Sequence, residues 1–406
     1  MLFRSLQAGA YVQDDIRVRK GLTFSPGLRY EAQTHLDDFN GFGPRFGVTW
    51  APFKNGKTTL RASYGIFYDW LSTGTYEQTL RVDGFRQQEL QVLNPPYPDP
   101  SGGISSVTPV NRYLLDPRLQ NAKNSRVATG IDYAFTQRLR ASATYRYIKG
   151  EGVPRGLNLN APAGGVRPDP VFGNVIEVVG DGASRQHILQ LNAQTPPPLP
   201  QPGKARLWDW KRWGLFSGYT FAKNENNADN PFSPPATGNL AAEWGPAPGS
   251  VRHRFQGGFS SAMLRNLNWQ LNGQMSTGTP YTIQTGYDDN GDLIFNDRPA
   301  GVGRNTLRTP TQWSLSIFMG YAFTFGPRVV LPGGPMIYGT PAGLPVSSFT
   351  PPEQGRYRMG INFNIQNLTN HANLGGYSGT LTSPFYGKPT MAMSARRISL
   401  GMNLGF

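Results

Sequence analysis

The densest run of oxygen ligands in the chain is Tyr287-Asp288-Asp289-Asn290-Gly291-Asp292. Asp288, Asn290 and Asp292 have the i, i+2, i+4 spacing of the first half of a calcium loop, in which alternate side chains turn their oxygens toward one hard cation. The second half departs from that pattern. Leu293 stands where the loop needs a glycine for its sharp turn, and Pro299 where it needs a bidentate glutamate. Two expectations follow: a solvated turn, which these departures favour, and a Ca²⁺-stabilised loop held by Asp288, Asn290 and Asp292.

Other chemistry is thinner. Ala51-Pro52-Phe53-Lys54-Asn55-Gly56-Lys57-Thr58 has the outline of a phosphate-binding loop, with alanine in place of the first glycine. Such a loop must open a helix, whose free N–H groups hold the phosphates. Here Leu60, Ala62, Tyr64 and Ile66 alternate with Arg61, Ser63 and Gly65, which is a strand, so Asn55-Gly56 is expected to be a hairpin turn. His35, His187, His253 and His371 have no paired metal-ligand spacing. With no cysteine, thiolate sites and disulfides are excluded. No nucleophile elbow is visible, and the sequence gives an enzyme no support.

The elements that would position these residues share a period of two. Ile398, Leu400, Met402, Leu404 and Phe406 fall on one face, and Arg397, Ser399, Gly401, Asn403 and Gly405 on the other. Tyr357, Met359, Ile361, Phe363 and Ile365 alternate in the same way with Arg358, Gly360, Asn362, Asn364 and Gln366. Successive strand side chains point to opposite faces, so these are strands with one apolar and one polar side. Counting such segments gives about 13 strands. They lie near 7–19, 21–33, 42–53, 57–70, 123–135, 138–149, 184–194, 214–226, 250–263, 266–281, 311–325, 356–369 and 394–406. Many exceed the roughly 5–6 residues usual in globular sheets and match the roughly 9–11 needed to cross a bilayer.

Composition agrees. The 406 residues include 49 Gly and 35 Pro, yet 12% are aromatic. Gly and Pro disfavour helices, and the aromatics argue against disorder. No run of apolar residues reaches the length of a membrane helix, about 18. Connections also alternate in length. Joints at Lys20, Lys54-Asn55-Gly56, Thr136-Gln137 and Arg265 are short; those near 34–41, 71–122, 150–183, 227–249, 282–310 and 370–393 are long. Inserts near 195–213 and 326–355 fall on the short side. An up-and-down transmembrane β-barrel, with short periplasmic turns and long extracellular loops, produces that alternation. The fold class expected is therefore all-β, an antiparallel barrel whose aromatics (Trp50, Phe53, Tyr68, Trp70, Tyr145 and Tyr147) girdle the membrane edges.

The formal net charge is +14. Arg61, Arg138, Arg140, Arg146, Arg356, Arg358 and Arg397 are assigned to the polar strand face, dispersed over many strands and without a basic helix. Nucleic acid is therefore not an expected partner. On a barrel these arginines line the lumen, facing an acidic plug, an anionic solute or water, and those near the rim meet lipopolysaccharide. Met1-Leu2-Phe3-Arg4-Ser5-Leu6 is not a signal peptide. The chain is either cytoplasmic or a fragment, and the strand pattern favours the fragment.

Several strings resemble the barrel of TonB-dependent outer-membrane receptors, and within them the Oar-like branch with its carboxypeptidase-regulatory-like domain. They are Tyr11-Val12-Gln13-Asp14-Asp15-Ile16-Arg17-Val18 with Gly27-Leu28-Arg29-Tyr30-Glu31, Phe42-Gly43-Pro44-Arg45-Phe46-Gly47 running on to Tyr68, Thr277-Gly278-Thr279-Pro280-Tyr281, and Asn296-Asp297-Arg298-Pro299. The final strand, ending in Phe406, resembles the C-terminal signal read by the barrel assembly machinery. The likeness spans essentially the whole chain. It implies a 22-stranded barrel in a Gram-negative-type outer membrane, of which residues 1–406 would be the C-terminal part, without signal peptide, TonB box or plug. It also implies energised uptake of a solute through a plug that contacts TonB, with membrane lipid and lipopolysaccharide around the wall. The alternative is an Oar-like surface adhesin or structural protein without transport. No cofactor is expected beyond the loop Ca²⁺.

Overall fold

The computed structural model describes residues 4–89, 98, 109–195, 207–329 and 354–406. Among them, thirteen strands form one antiparallel sheet whose spatial order is the sequence order. They are β1 (Gln7–Gln13), β2 (Leu22–Gln33), β3 (Phe42–Trp50), β4 (Thr58–Asp69), β5 (Ala122–Ala134), β6 (Arg140–Asn158), β7 (Val175–Thr195), β8 (Trp213–Asn226), β9 (His253–Ser261), β10 (Leu267–Ser276), β11 (Gln312–Val329), β12 (Gln354–Gln366) and β13 (Arg397–Gly405). The sheet is open: β1 and β13 each have a single long neighbour.

Cross-strand register converts the sequence alternation into two faces. Tyr64 of β4 lies opposite Phe46 and Val127, and its neighbour Gly65 lies opposite Arg45 and Arg126. Eight strands on, Ile361 lies opposite Tyr321 and Met402, and Asn362 opposite Gly320 and Gly401. Phe46, Tyr64 and Val127 are 47%, 41% and 42% exposed, one band in a continuous row of bare apolar side chains. Water would not tolerate so large a patch, whereas lipid requires one. The apolar face is therefore the outside of the wall, and the polar face the inside.

Hairpins follow the expected alternation. Gly21 and Gly56 close the first two short turns at φ +81 and +63, and the Asn55 Oδ1 accepts the Lys57 N–H at 3.0 Å. Residues 51–58 thus enter a strand, as the hairpin assignment requires, and no phosphate loop forms. The inserts near 195–213 and 326–355 lie largely outside the described residues.

Three expectations need correction. The first strand is broken, because Asp14-Asp15 interrupts the ladder and a separate piece, Ile16–Arg19, pairs with the start of β2. Strands β6 and β7 run well past the expected 138–149 and 184–194, overhanging the wall at the long-loop end. Arg138 precedes β6 and does not line the lumen; its guanidinium donates to the carbonyls of Lys211 at 2.9 Å and Trp213 at 2.7 Å.

The two faces make opposite predictions for one strand. Leu191 sits in the outward row with Ala143 and Tyr219, and Asn192 in the inward row with Ser142 and Gly218. Leu191→Arg is expected to cost about 2–4 kcal/mol at mid-membrane depth. Asn192→Arg should be near neutral. Heat-modifiable gel migration of the folded fraction in membranes checks both.

Candidate functional site

At the long-loop end the connections fold onto one another as a cap. Its platform is the overhang of β6 and β7. A short strand, Arg112–Leu115, runs parallel to Val175–Val178 along it. The helix α1 (Thr73–Arg81) lies in the same connection.

Among the described residues the clusters of buried apolar side chains are here and not in the wall. Leu36, Leu71, Leu119 and Val178 form one cluster, with Val178 wholly buried. Val82, Tyr113 and Ile176 form a second, and Phe232 packs against both. The rings of Tyr113 and Phe232 meet edge to face at 5.0 Å. The Tyr113 hydroxyl donates to Glu89 at 2.6 Å, and burial together with that carboxylate raises its pKa above the ordinary tyrosine range. Ile294, from the connection after β10, joins the second cluster, so side chains from three connections and the β7 overhang share it.

Buried polar side chains fix the geometry. Gln33 makes a reciprocal pair with Leu71: its Nε2 donates to the Leu71 carbonyl at 2.8 Å, and its Oε1 accepts the Leu71 N–H at 3.0 Å. Asn160, almost wholly buried, donates to the carbonyls of Asp169, Phe172 and Gly173 and accepts the Asp169 N–H. Arg155 holds Asp181 through two 2.6 Å contacts across the overhang. Arg298 grips Glu243 in a bidentate pair at 2.7 and 2.8 Å, with both side chains 6% exposed. Arg304 donates to the Glu243 carbonyl at 3.0 Å and pairs with Asp229. These two arginines tie the connection after β10 to the one after β8. No local pattern announces the pairing, because Glu243 and Arg298 are 55 residues apart. Asn296-Asp297-Arg298-Pro299, quoted above for its resemblance, was the available signal.

Asp288, Asn290 and Asp292 do come together. Asp288 Oδ1 and Asn290 Oδ1 both accept the Asp292 N–H at 2.9 Å, Asp288 Oδ2 accepts from Leu293 at 2.9 Å, and Asp292 Oδ1 from Ile294 at 2.7 Å. Backbone amides thus donate to all three side chains, and Asp292 Oδ2 accepts from Asn290 Nδ2 at 3.2 Å. Among the described residues no set of three His, Cys, Asp or Glu side chains converges in a metal-binding arrangement. The loop is also strapped to its neighbours, with Asn290 donating to Ala236, Asn296 to Pro234, and Arg167 to the Gly291 carbonyl. Burial raises the carboxyls of Asp292 and Asp297 above the usual carboxylate range, and Asp288 adds repulsion at each. Phe406 directly follows the edge strand and is 96% exposed.

The histidines serve packing. On the outward face the Tyr145 hydroxyl meets His187 Nδ1 at 2.8 Å, and the Tyr219 hydroxyl meets His253 Nδ1 at 2.8 Å. With Tyr147 and Phe221 these rings make an aromatic band toward the cap end of the wall.

Two measurements test the cap. Glu243→Gln leaves the buried Arg298 without its carboxylate, at a cost of about 3–5 kcal/mol. Hydrogen exchange and proteolysis should accelerate across 282–310 while the barrel keeps its heat-modifiable migration. For Asp292 a raised folded pKa means that stability rises as pH falls through that value and is lost again as pH rises through it. Asp292→Asn keeps an oxygen for the Ile294 amide and removes the buried charge. Exchange near 288–297, corrected for intrinsic rates, should then lose the Asp292 part of its pH dependence above the ordinary carboxylate pKa.

Comparison with known proteins agrees with this architecture. A family model described as an outer membrane beta barrel domain matches residues 33–399. No curated protein matches the sequence. Among solved structures, the outer membrane transporter YddB from Escherichia coli superposes with a TM-score of 0.63 at 14% identity, over 99% of this chain and 45% of that one. The ferric enterobactin receptor PfeA from Pseudomonas aeruginosa, solved as a mutant in complex with enterobactin, gives 0.59 at 12% identity, over 99% and 45%. The FrpB iron transporter from Neisseria meningitidis gives 0.52 at 12% identity, over 98% and 45%. The chain thus spans a little under half of each. Its wall lies in the outer membrane, and the chain belongs to the outer membrane beta barrel domain family.

Proposed function

We propose that this chain supplies part of the wall and extracellular cap of a TonB-dependent receptor that takes up a solute across the outer membrane. The observation that carries it is the open thirteen-stranded sheet with a polar inner face and interlocked loops at one end, which overlays transporter and receptor barrels along 45% of their length. A ladder with two bare edges cannot sit in hydrocarbon, because unpaired backbone groups find no water there. The remaining strands of a 22-stranded wall, and the plug that would contact TonB, belong on this reading to the same receptor. The Oar-like branch rests on the sequence strings alone. Phe406, directly after β13, is proposed as the residue presented to the barrel assembly machinery. The chemistry on view is recognition and passage, with no catalytic step assigned.

Genetics tests uptake without knowledge of the solute. Strains lacking this gene and strains lacking TonB are grown on a panel of limiting nutrients. The expected result is a shared defect on at least one of them. A strain that loses surface attachment and shares no nutrient defect with the TonB mutant would establish the adhesin alternative instead.

A further inference from the structure

The inner face of the wall carries a cavity of about 360 Å³ over β1–β6, within the usual range for small-ligand sites. Arg45, Arg126 and Arg146 line it, together with Gln13, Ser25 and Ser63. Gly65 makes its floor, because Arg45 and Arg126 lie directly opposite that glycine on the two neighbouring strands. Phe67 folds back over the gap: a Cβ on Gly65 would sit 3.0 Å from the Phe67 ring and 3.2 Å from the Arg45 Cγ. Both guanidiniums rest on that one ring, Arg45 at 4.2 Å and Arg126 at 4.4 Å from its centre. Cation–π contact holds the two charges in place without neutralising them.

Among the described residues no carboxylate is paired with these charges: none lies within 4.0 Å of Arg45, Arg126 or Arg146. Glu31, whose field reaches Arg45, is held by Arg29 at 2.7 Å, and Asp132 by Arg61 at 2.9 Å. Arg146 donates to Gln190, a neutral acceptor, and the buried Nε atoms of Arg45 and Arg146 have no acceptor at all. A buried donor without a partner costs about 1–3 kcal/mol, and neighbouring like charges add to it. Guanidiniums are the side chains best suited to bidentate binding of carboxylate or phosphate.

We propose that Arg45, Arg126 and Arg146 form an oxyanion-binding site on the inner wall, taking a carboxylate or phosphate group against the Phe67–Gly65 floor. The group arrives either on a small solute in the lumen or on an acidic side chain of polypeptide filling the lumen. The site depends on the barrel and its inner face, not on uptake.

Calorimetric titration of the full-length protein in detergent with inorganic phosphate tests it. Each variant is first checked for heat-modifiable migration, so a failed barrel is recognised as such. Saturable binding is expected, weakened about tenfold or more by Arg126→Gln and by Arg45→Gln. Arg61→Gln, which removes an arginine already paired with Asp132, should leave it unchanged. The second arm uses Ser63→Cys: residues 1–406 have no cysteine of their own, and any thiol elsewhere in the full-length protein is first replaced by serine. If a polypeptide carboxylate fills the site, phosphate does not bind, and a maleimide labels residue 63 slowly until Arg126→Gln is added. A flat phosphate titration with a labelling rate indifferent to Arg126 would overturn the proposal.

Discussion

In hydrocarbon a backbone N–H or C=O has no water to fall back on, so every wall strand must satisfy both of its edges from neighbouring strands. That constraint shapes the rest of the molecule. It makes the sheet a simple meander, since a crossover would leave groups unpaired. It locks register, because a slip of one residue would turn Phe46, Tyr64 and Val127 inward and Arg45 and Arg126 into lipid. It also leaves the wall with no interior of its own: one face belongs to lipid and the other to the lumen. The hydrophobic effect therefore stabilises the wall from outside, and a packed protein core can form only where the chain leaves the membrane.

The cap is that place, and it is small. Two apolar clusters meeting at Phe232 could not hold four long connections by area alone. Long polar side chains complete the work by reaching across connections to carbonyls and carboxylates: Arg155 to Asp181, Arg298 to Glu243, Arg304 to the Glu243 carbonyl and to Asp229. Removing one member of such a pair costs far more than the pair is worth relative to apolar residues of the same size. The pairs consequently fix which loop lies against which, a geometric role more than a source of stability.

The wall was legible in the sequence because each strand shows a different solvent on each face, and period two survives wherever that holds. It fails where both faces are covered. Val175–Val179 reads Val-Ile-Glu-Val-Val and is buried on four of its five residues, so alternation vanishes and the overhang of β7 passes for loop. Its partner, Glu151–Asn158, is disguised by Gly152, Pro154 and Gly156; the first two are accommodated where the register shifts between Glu151, Val153 and Arg155, and Gly156 pairs in register with Val178. The helix Thr73–Arg81 is hidden by Gly74 and three threonines, all poor helix formers. The Asp288–Asp292 turn was visible because its contacts are local. The Arg298–Glu243 pair was not, because nothing in the two segments announces that they meet.

Charge placement shows the same separation between what is closed and what is left open. In the cap, Arg155, Arg298 and Arg304 each meet a carboxylate of another segment or strand, as buried cations must. On the inner wall, Arg29 pairs with Glu31 of its own strand and Arg61 with Asp132 of the next. Arg45, Arg126 and Arg146 are built differently: an aromatic ring or a neutral amide positions them, and no carboxylate among the described residues pairs with them. An arginine needed only for solubility in a wet lumen would be served by exposure alone. Placing two of them on one Phe67 ring, above a glycine that each faces directly, spends packing on orientation. The surplus that makes the chain basic is in this part of the wall a matter of position, aimed at the space the barrel encloses.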